Sequence, residues 1–186
     1  MKVIVICFAN TCRSPVAETL LATSVGRHSG VTVTSKGTEG GPGLTPPAMQ
    51  QALDEAGITL QSPSGETLER DDARSADLLL FMERALLREA VVRDTSLWPK
   101  SFTLREFARR ANLNPPSPAD ETFEQWIALL HGTRSRNDLL GADAQDDILD
   151  PGLSGDVADY REMIATLRSE TLRVAPMLTG WPSTSE

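Results

Sequence analysis

Residues 2–20 read KVIVICFANTCRSPVAETL, and the fold follows from how this stretch divides. Residues 3–6 are a continuous β-branched run, which suits a strand buried on both faces at the centre of a parallel sheet. The run stops at Cys7. Seven residues on, Ser14 is placed as a helix N-cap and Pro15 as the first helical residue. Val16, Ala17, Leu20, Leu21 and Val25 then share one helical face, with Gly30 as the stop. Between strand and helix lies CFANTCR. Parallel α/β sheets bind ligands beyond the carboxyl ends of their strands. A loop wrapped round a helix N-terminus turns consecutive N–H groups toward an anion, and Arg13 adds a planar fork matched to phosphate oxygens. Cys7 in such a cradle is placed as a nucleophile toward phosphorus. On spacing alone, a cysteine ending a strand is more often an inert core residue. The strand before it and the Ser-Pro after it favour the catalytic reading.

Outward from this stretch, strand and helix patterns alternate. VTVTSKGT (31–38) is a second strand by period-two alternation. Thr45 is placed to cap a helix over PPAMQQALDEAGI that Gly57 closes. SADLLLFM (75–82) is a third buried strand and ERALLREAVVRD an amphipathic helix. SFTLREF (101–107) reads as a fourth strand, although LREFARR also fits a helix. A proline-rich loop, a short helix over ETFEQWIALLHG and a polar stretch at 133–147 follow. A long helix over 156–178 and a frayed tail at 181–186 end the chain. The alternation predicts an α/β fold, a three-layer sandwich around a central four-stranded parallel sheet. Residues 1–180 are read as one domain, with 112–147 either a partial lid or a solvated insertion.

The 186 residues can bury a full core without metal or disulfide staples. The start MKVIVICF is too short for a signal peptide and no run nears the ~20 apolar residues of a membrane span, so a soluble cytoplasmic protein is expected. A formal charge of −8 argues against nucleic acid or anionic membrane as a partner, so any anionic ligand needs a local positive site. Two cysteines do not make a disulfide framework, and nothing has zinc-ligand spacing. No metal or cofactor is expected.

CFANTCRSPVAE resembles the phosphate-binding loop of the low-molecular-weight protein tyrosine phosphatase family, Cys-x-Gly-Asn-x-Cys-Arg-Ser-Pro. SKGT (35–38) is similar to that family's Ser-Ala-Gly-Thr, ADLLLFM to its Ala-Asp-Leu-Val-Leu-x-Met strand, and LDP (149–151) to its Asp-Pro loop. The resemblance implies that Phe8, Ala9, Asn10, Thr11, Cys12, Arg13 and Ser14 bind phosphate. It makes Cys7 the nucleophile, Arg13 the phosphoryl-binding residue and Ser14 a donor to the Cys7 sulfur. Asn10 would hold the loop in a left-handed turn, supported by Ser35. Cys12 matches a second cysteine able to pair with the nucleophile under oxidation, or is a small packing residue.

Phosphoester cleavage also needs a proton for the leaving oxygen. No histidine is well placed by sequence. Asp150 is the best candidate, because Pro151 restricts its backbone. Asp146 and Asp147 are alternatives in a polar run read as a solvated loop, and the resemblance favours Asp150. The expected activity is a metal-independent phosphomonoesterase acting on phosphorylated protein, with inorganic phosphate as product and inhibitor. Alternatives are a protein-arginine phosphatase, since that branch of the family carries threonine at the position of Thr11, a thiol-dependent arsenate reductase, or a non-catalytic phosphate binder. Departures from the family are Ala9 for glycine, Gly152 for the aromatic after Asp-Pro, and no histidine in SPSGE (62–66). Trp126 is read as core rather than crevice wall. Arg105, Arg109 and Arg110 are read as solvated rather than as a docking face.

Overall fold

Strand β1 (Lys2–Cys7) carries the sheet. Val3, Ile4, Val5 and Ile6 are wholly excluded from solvent. Their side chains alternate: Val3, Val5 and Cys7 join the core on one face, Ile4 and Ile6 that on the other. Burying each aliphatic side chain is worth about 1.5–3 kcal/mol, so a register slip of one residue would be costly. A computed structural model describes residues 1–60, 65–141, 144–152 and 155–182.

β1 pairs in parallel with β2 (Thr32–Gly37) and β3 (Leu78–Phe81), and β3 pairs with β4 (Ser101–Thr103). The strand order is β2-β1-β3-β4. The chain leaves β1 for one side of the sheet and then crosses to the other, so strand order reverses at the carboxyl end of β1. Cys7 sits at this switch point, the position at which open parallel sheets generally bind ligands. Helices α1 (Arg13–Val25), α2 (Pro47–Ala56), α5 (Leu104–Leu113) and α8 (Val157–Leu178) cover the face bearing Cys7, through Val16, Met49, Phe107 and Leu167 among others. Helices α3 (Arg70–Ser75) and α4 (Arg84–Arg93) cover the other face through Ala73, Leu87 and Val91.

Several local expectations change. Helix α1 starts at Arg13, with Cys12 at its N-cap position and no side-chain cap, because the Ser14 hydroxyl is engaged in the loop instead. It stops at Gly26 rather than Gly30, since Gly26 already takes the positive φ of 78°. Thr45 does not cap α2; Pro46 holds the N-cap position, and Pro47 leaves one fewer N–H to satisfy. SFTLREF is both strand and helix: the Thr103 hydroxyl accepts from the Glu106 amide, which ends β4 and starts α5. The polar stretch 133–147 is not all loop. It holds α7 (Arg136–Leu140), where the Asp138 carboxylate accepts from the Ser135 amide and hydroxyl.

Helix α6 (Phe123–Gly132) starts with a Thr122–Gln125 capping box. Trp126 is fully buried, edge-on to Phe107 with ring centres 5.7 Å apart. Trp181, the first residue of the expected tail, packs on both Phe123 and Trp126, so ordered packing extends to 181. Residues 183–186 of that tail lie outside the described residues, as do 62–64 of SPSGE.

Candidate active site

Residues 8–12 run as successive bends from the end of β1 to the start of α1. Asn10 has φ of 48°, the one positive value at a non-glycine among the described residues. Asparagine tolerates this region better than most residues. Its Nδ2 donates to the Ser35 carbonyl over 3.3 Å, so the backbone of β2 holds the turn. Ala9 does not have a positive φ, so its methyl carries no backbone strain where the family has glycine. Room for that methyl comes from across the loop: a Cβ on Gly41 would lie 3.0 Å from the Ala9 Cβ and 2.4 Å from its carbonyl oxygen. Phe8 is turned outward and half exposed.

The Cys7 Sγ lies 3.0 Å from the Ser14 Oγ, both buried. The same Ser14 oxygen is 3.0 Å from Asn10 Oδ1 and 3.3 Å from the Lys36 carbonyl. A hydroxyl has one proton to give. With Cys7 protonated, the thiol can donate to Ser14 and Ser14 to Asn10; with Cys7 ionised, the Ser14 proton turns to the sulfur. Cys12 is a free thiol beside the loop. Burial, then the charges of Asp150 and Cys7, push its pKa up to about 12 despite Arg13.

Arg13 is 1 % exposed and has three partners. Nη1 donates to Glu83 and, over 3.0 Å, to the Ile148 carbonyl. Nη2 donates to Asp150 Oδ2 at 2.5 Å. Hydrogen bonds join Cys7, Ser14, Asn10 and Ser35 in one group and Arg13, Glu83 and Asp150 in a second, and the Arg13–Ser14 peptide bond links the two, although Asp150 lies 137 positions from Arg13 in the chain. Glu83 and the Ile148 carbonyl are additions that the sequence reading missed. Glu83 directly follows Met82, whose amide bonds to the Ile6 carbonyl, so parallel pairing alone would have placed it beside the end of β1.

The low molecular weight phosphotyrosine protein phosphatase family matches residues 2–137. The chain belongs to this family. A relative is the low molecular weight protein-tyrosine-phosphatase Etp of Escherichia coli K12, 29% identical over 133 residues, covering 69% of this chain and 86% of Etp. Among solved structures, the YwlE arginine phosphatase of Geobacillus stearothermophilus matches with a TM-score of 0.66 and 25% identity, over 95% of this chain and 92% of its own. A low molecular weight protein tyrosine phosphatase from Bacillus subtilis matches with a TM-score of 0.62 and 27% identity, over 96% and 97%. The family match ends before Asp150, so the role of that residue rests on geometry.

As a member of this phosphatase family, the chain departs at the Asp-Pro turn. Gly152 there has φ of 63°, and its amide donates to Asp150 Oδ1 over 2.9 Å. The other acids considered are engaged elsewhere. Asp146 is buried rather than solvated and accepts from Arg84 and Arg109 at 2.6 and 2.8 Å, while Asp147 accepts from the Arg84 amide. Nor are the arginines of α5 a solvated face. Arg110 is buried between Glu106 and Asp138, and Arg105 donates to the Gln145 and Asp147 carbonyls. Together they tie α7 and residues 145–147 to α5, just ahead of Ile148 and Asp150, which meet Arg13.

Proposed function

We propose that this phosphatase works in two steps through a cysteinyl phosphate at Cys7, without a metal ion. In the first step the Cys7 sulfur forms a bond to phosphorus, the ester P–O bond breaks, and Asp150 gives its proton to the leaving oxygen. In the second, water attacks phosphorus, Asp150 takes the proton, and the S–P bond breaks to release phosphate. The Ser14 hydroxyl meets the departing sulfur. Arg13 and the loop amides meet the charge on the transferring oxygens.

The observation that carries this reading is the Cys7–Ser14 contact at the switch point, with Arg13 and Asp150 joined beside it. Phe8, next to Cys7 in the chain, and Leu149, next to Asp150, are exposed, and they offer apolar surface to an aryl group. Phosphotyrosine in proteins is thus the favoured substrate, in a cytoplasmic setting, with phosphate as a competitive inhibitor; nucleic acid and membrane are not partners in this reading. The test is hydrolysis of p-nitrophenyl phosphate in the presence of a chelator. Activity should survive the chelator and vanish in Cys7→Ser; a Cys7→Ser variant that still turns over would falsify the scheme.

One observation favours a second substrate class. The Thr11 hydroxyl donates to the Ala9 carbonyl over 3.2 Å, which leaves its lone pairs free to accept from the N–H groups of a guanidino leaving group. A relative by structure is an arginine phosphatase. Side-by-side turnover of phosphotyrosine and phosphoarginine peptides separates the two, and Thr11→Val should depress only the phosphoarginine rate.

A further inference from the structure

We infer that Tyr160 is a positioning residue that holds the Asp-Pro turn, and through it the carboxylate of Asp150, in line with Arg13. This deepens the two-step scheme above and rests on Asp150 being its acid.

Tyr160 is the only tyrosine in the chain. It sits one turn into α8 and is completely buried. Its hydroxyl reaches back to donate to the Gly152 carbonyl over 3.0 Å. The amide of the same glycine donates to Asp150 Oδ1 over 2.9 Å, and Asp150 Oδ2 accepts from Arg13. Both polar groups of Gly152 are therefore held, one by the acid and one by the core of the molecule. The turn needs such a hold. Glycine at φ of 63° has no side chain to pack, and a Cβ added there would meet no neighbouring group within 4 Å. An aromatic after Asp-Pro would anchor the turn by packing; here a buried phenol from the next helix does so by a hydrogen bond. The remainder of the turn is exposed, including Leu149 and Gly152. Without the bond, the turn would keep the contact of Asp150 with Arg13 and lose this hold on α8.

The groups facing the phenol keep it a donor. Burial raises its pKa first, and the charges of Asp150 and Asp159 add to this, so the proton stays on the oxygen across the working range. A buried phenol otherwise needs a partner, and the Gly152 carbonyl is that partner. The hydroxyl does not touch Cys7 or Arg13 in any contact of the structure, so its effect on chemistry passes through the turn.

The test is Tyr160→Phe, which keeps the ring and removes one oxygen. Cleavage of phenyl phosphate, whose leaving group needs a proton, should slow in kcat/KM, which reports the P–O cleavage step alone, by roughly three- to tenfold, the kinetic worth of one net hydrogen bond. Cleavage of 2,4-dinitrophenyl phosphate, whose leaving group does not, should stay within about twofold in kcat/KM. In an Asp150→Asn background the same substitution should change neither substrate. Equal losses on both substrates, or a loss that persists without the Asp150 carboxylate, would overturn the inference. If Asp150→Asn itself leaves phenyl phosphate cleavage intact, the acid assignment fails instead. A second measurement does not depend on the variant folding. Fluorotyrosine incorporated biosynthetically labels position 160 alone. Its fluorine resonance should move in Asp150→Asn and stay in place in Glu89→Gln, on α4 across the sheet; a resonance indifferent to Asp150 would count against the coupling.

Discussion

Arg13 shows how much one residue can carry. Its guanidinium is buried yet faces two carboxylates and a carbonyl, and each uses a different N–H direction. A lysine keeps the charge but not the fork. Arg13→Lys is therefore expected to lower kcat/KM by roughly 10²–10³-fold, the scale of losing one oxyanion donor, and to weaken phosphate inhibition in parallel. Gly41 acts by what it lacks. A methyl there would drive into the Ala9 carbonyl and side chain and lie 2.7 Å from the Thr11 hydroxyl. Because all three of those atoms belong to the loop of residues 8–12, Gly41→Ala should cut turnover more than stability, as read by steady-state kinetics beside thermal unfolding. The two cysteines should separate cleanly in reactivity. With its pKa near 12, Cys12 stays a thiol at neutral pH and is a poor nucleophile. Iodoacetamide near neutral pH should alkylate Cys7, with protection by phosphate, and leave Cys12 unmodified by peptide mapping; a phosphate-protected adduct on Cys12 would contradict the geometry.

The elements differ in what fixes them. Helices α2 and α8 lie side by side and are clipped at the surface by Arg161, which donates to both oxygens of Glu55 at 2.6 and 3.0 Å. The Arg161 bond, helped by Gln51, lowers the Glu55 pKa to about 2 from 4.5. A carboxyl whose folded pKa is depressed stabilises the fold above its unfolded value and loses that contribution as pH falls through the folded one. The melting-temperature gap between wild type and Arg161→Ala should thus be constant above the 4.5 of a free carboxyl and close as pH falls toward about 2. Because the pair is exposed, added salt should narrow it as well. Other element boundaries were unreadable for a physical reason. Ser14 looks like a cap because serine satisfies helix amides in most settings, but a sulfur 3.0 Å away competes for its hydroxyl. Helices α3 and α7 are single polar turns with little apolar periodicity, held by carboxylates and tertiary contacts, so sequence patterning carries almost no signal for them.

At the scale of the molecule, Trp126, Ile127 and Leu130 of the stretch 112–132 are buried in the core. Trp126 joins Phe107, Phe123 and Trp181 in one aromatic cluster and donates its indole N–H to the Asn114 carbonyl over 2.9 Å. Trp126→Ala should cost about 3–5 kcal/mol in urea unfolding while KM for an aryl phosphate stays unchanged; a shifted KM would return this residue to the crevice wall. No helix of the described residues is long and apolar enough to cross a membrane. What the sequence determined by itself is local and periodic: the buried strand ending in Cys7, the arginine in the loop before the next helix, and the strand–helix alternation that makes the sheet parallel. These follow from steric limits and hydrophobic spacing over a few residues. What only the tertiary structure decided is which distant carboxylates meet Arg13. Glu83, Ile148 and Asp150 arrive there because β3 pairs with β1 and because the arginines of α5 draw in the segment before the Asp-Pro turn. A charge records no direction in the sequence, and its partner is selected only when burial removes the water that would otherwise serve.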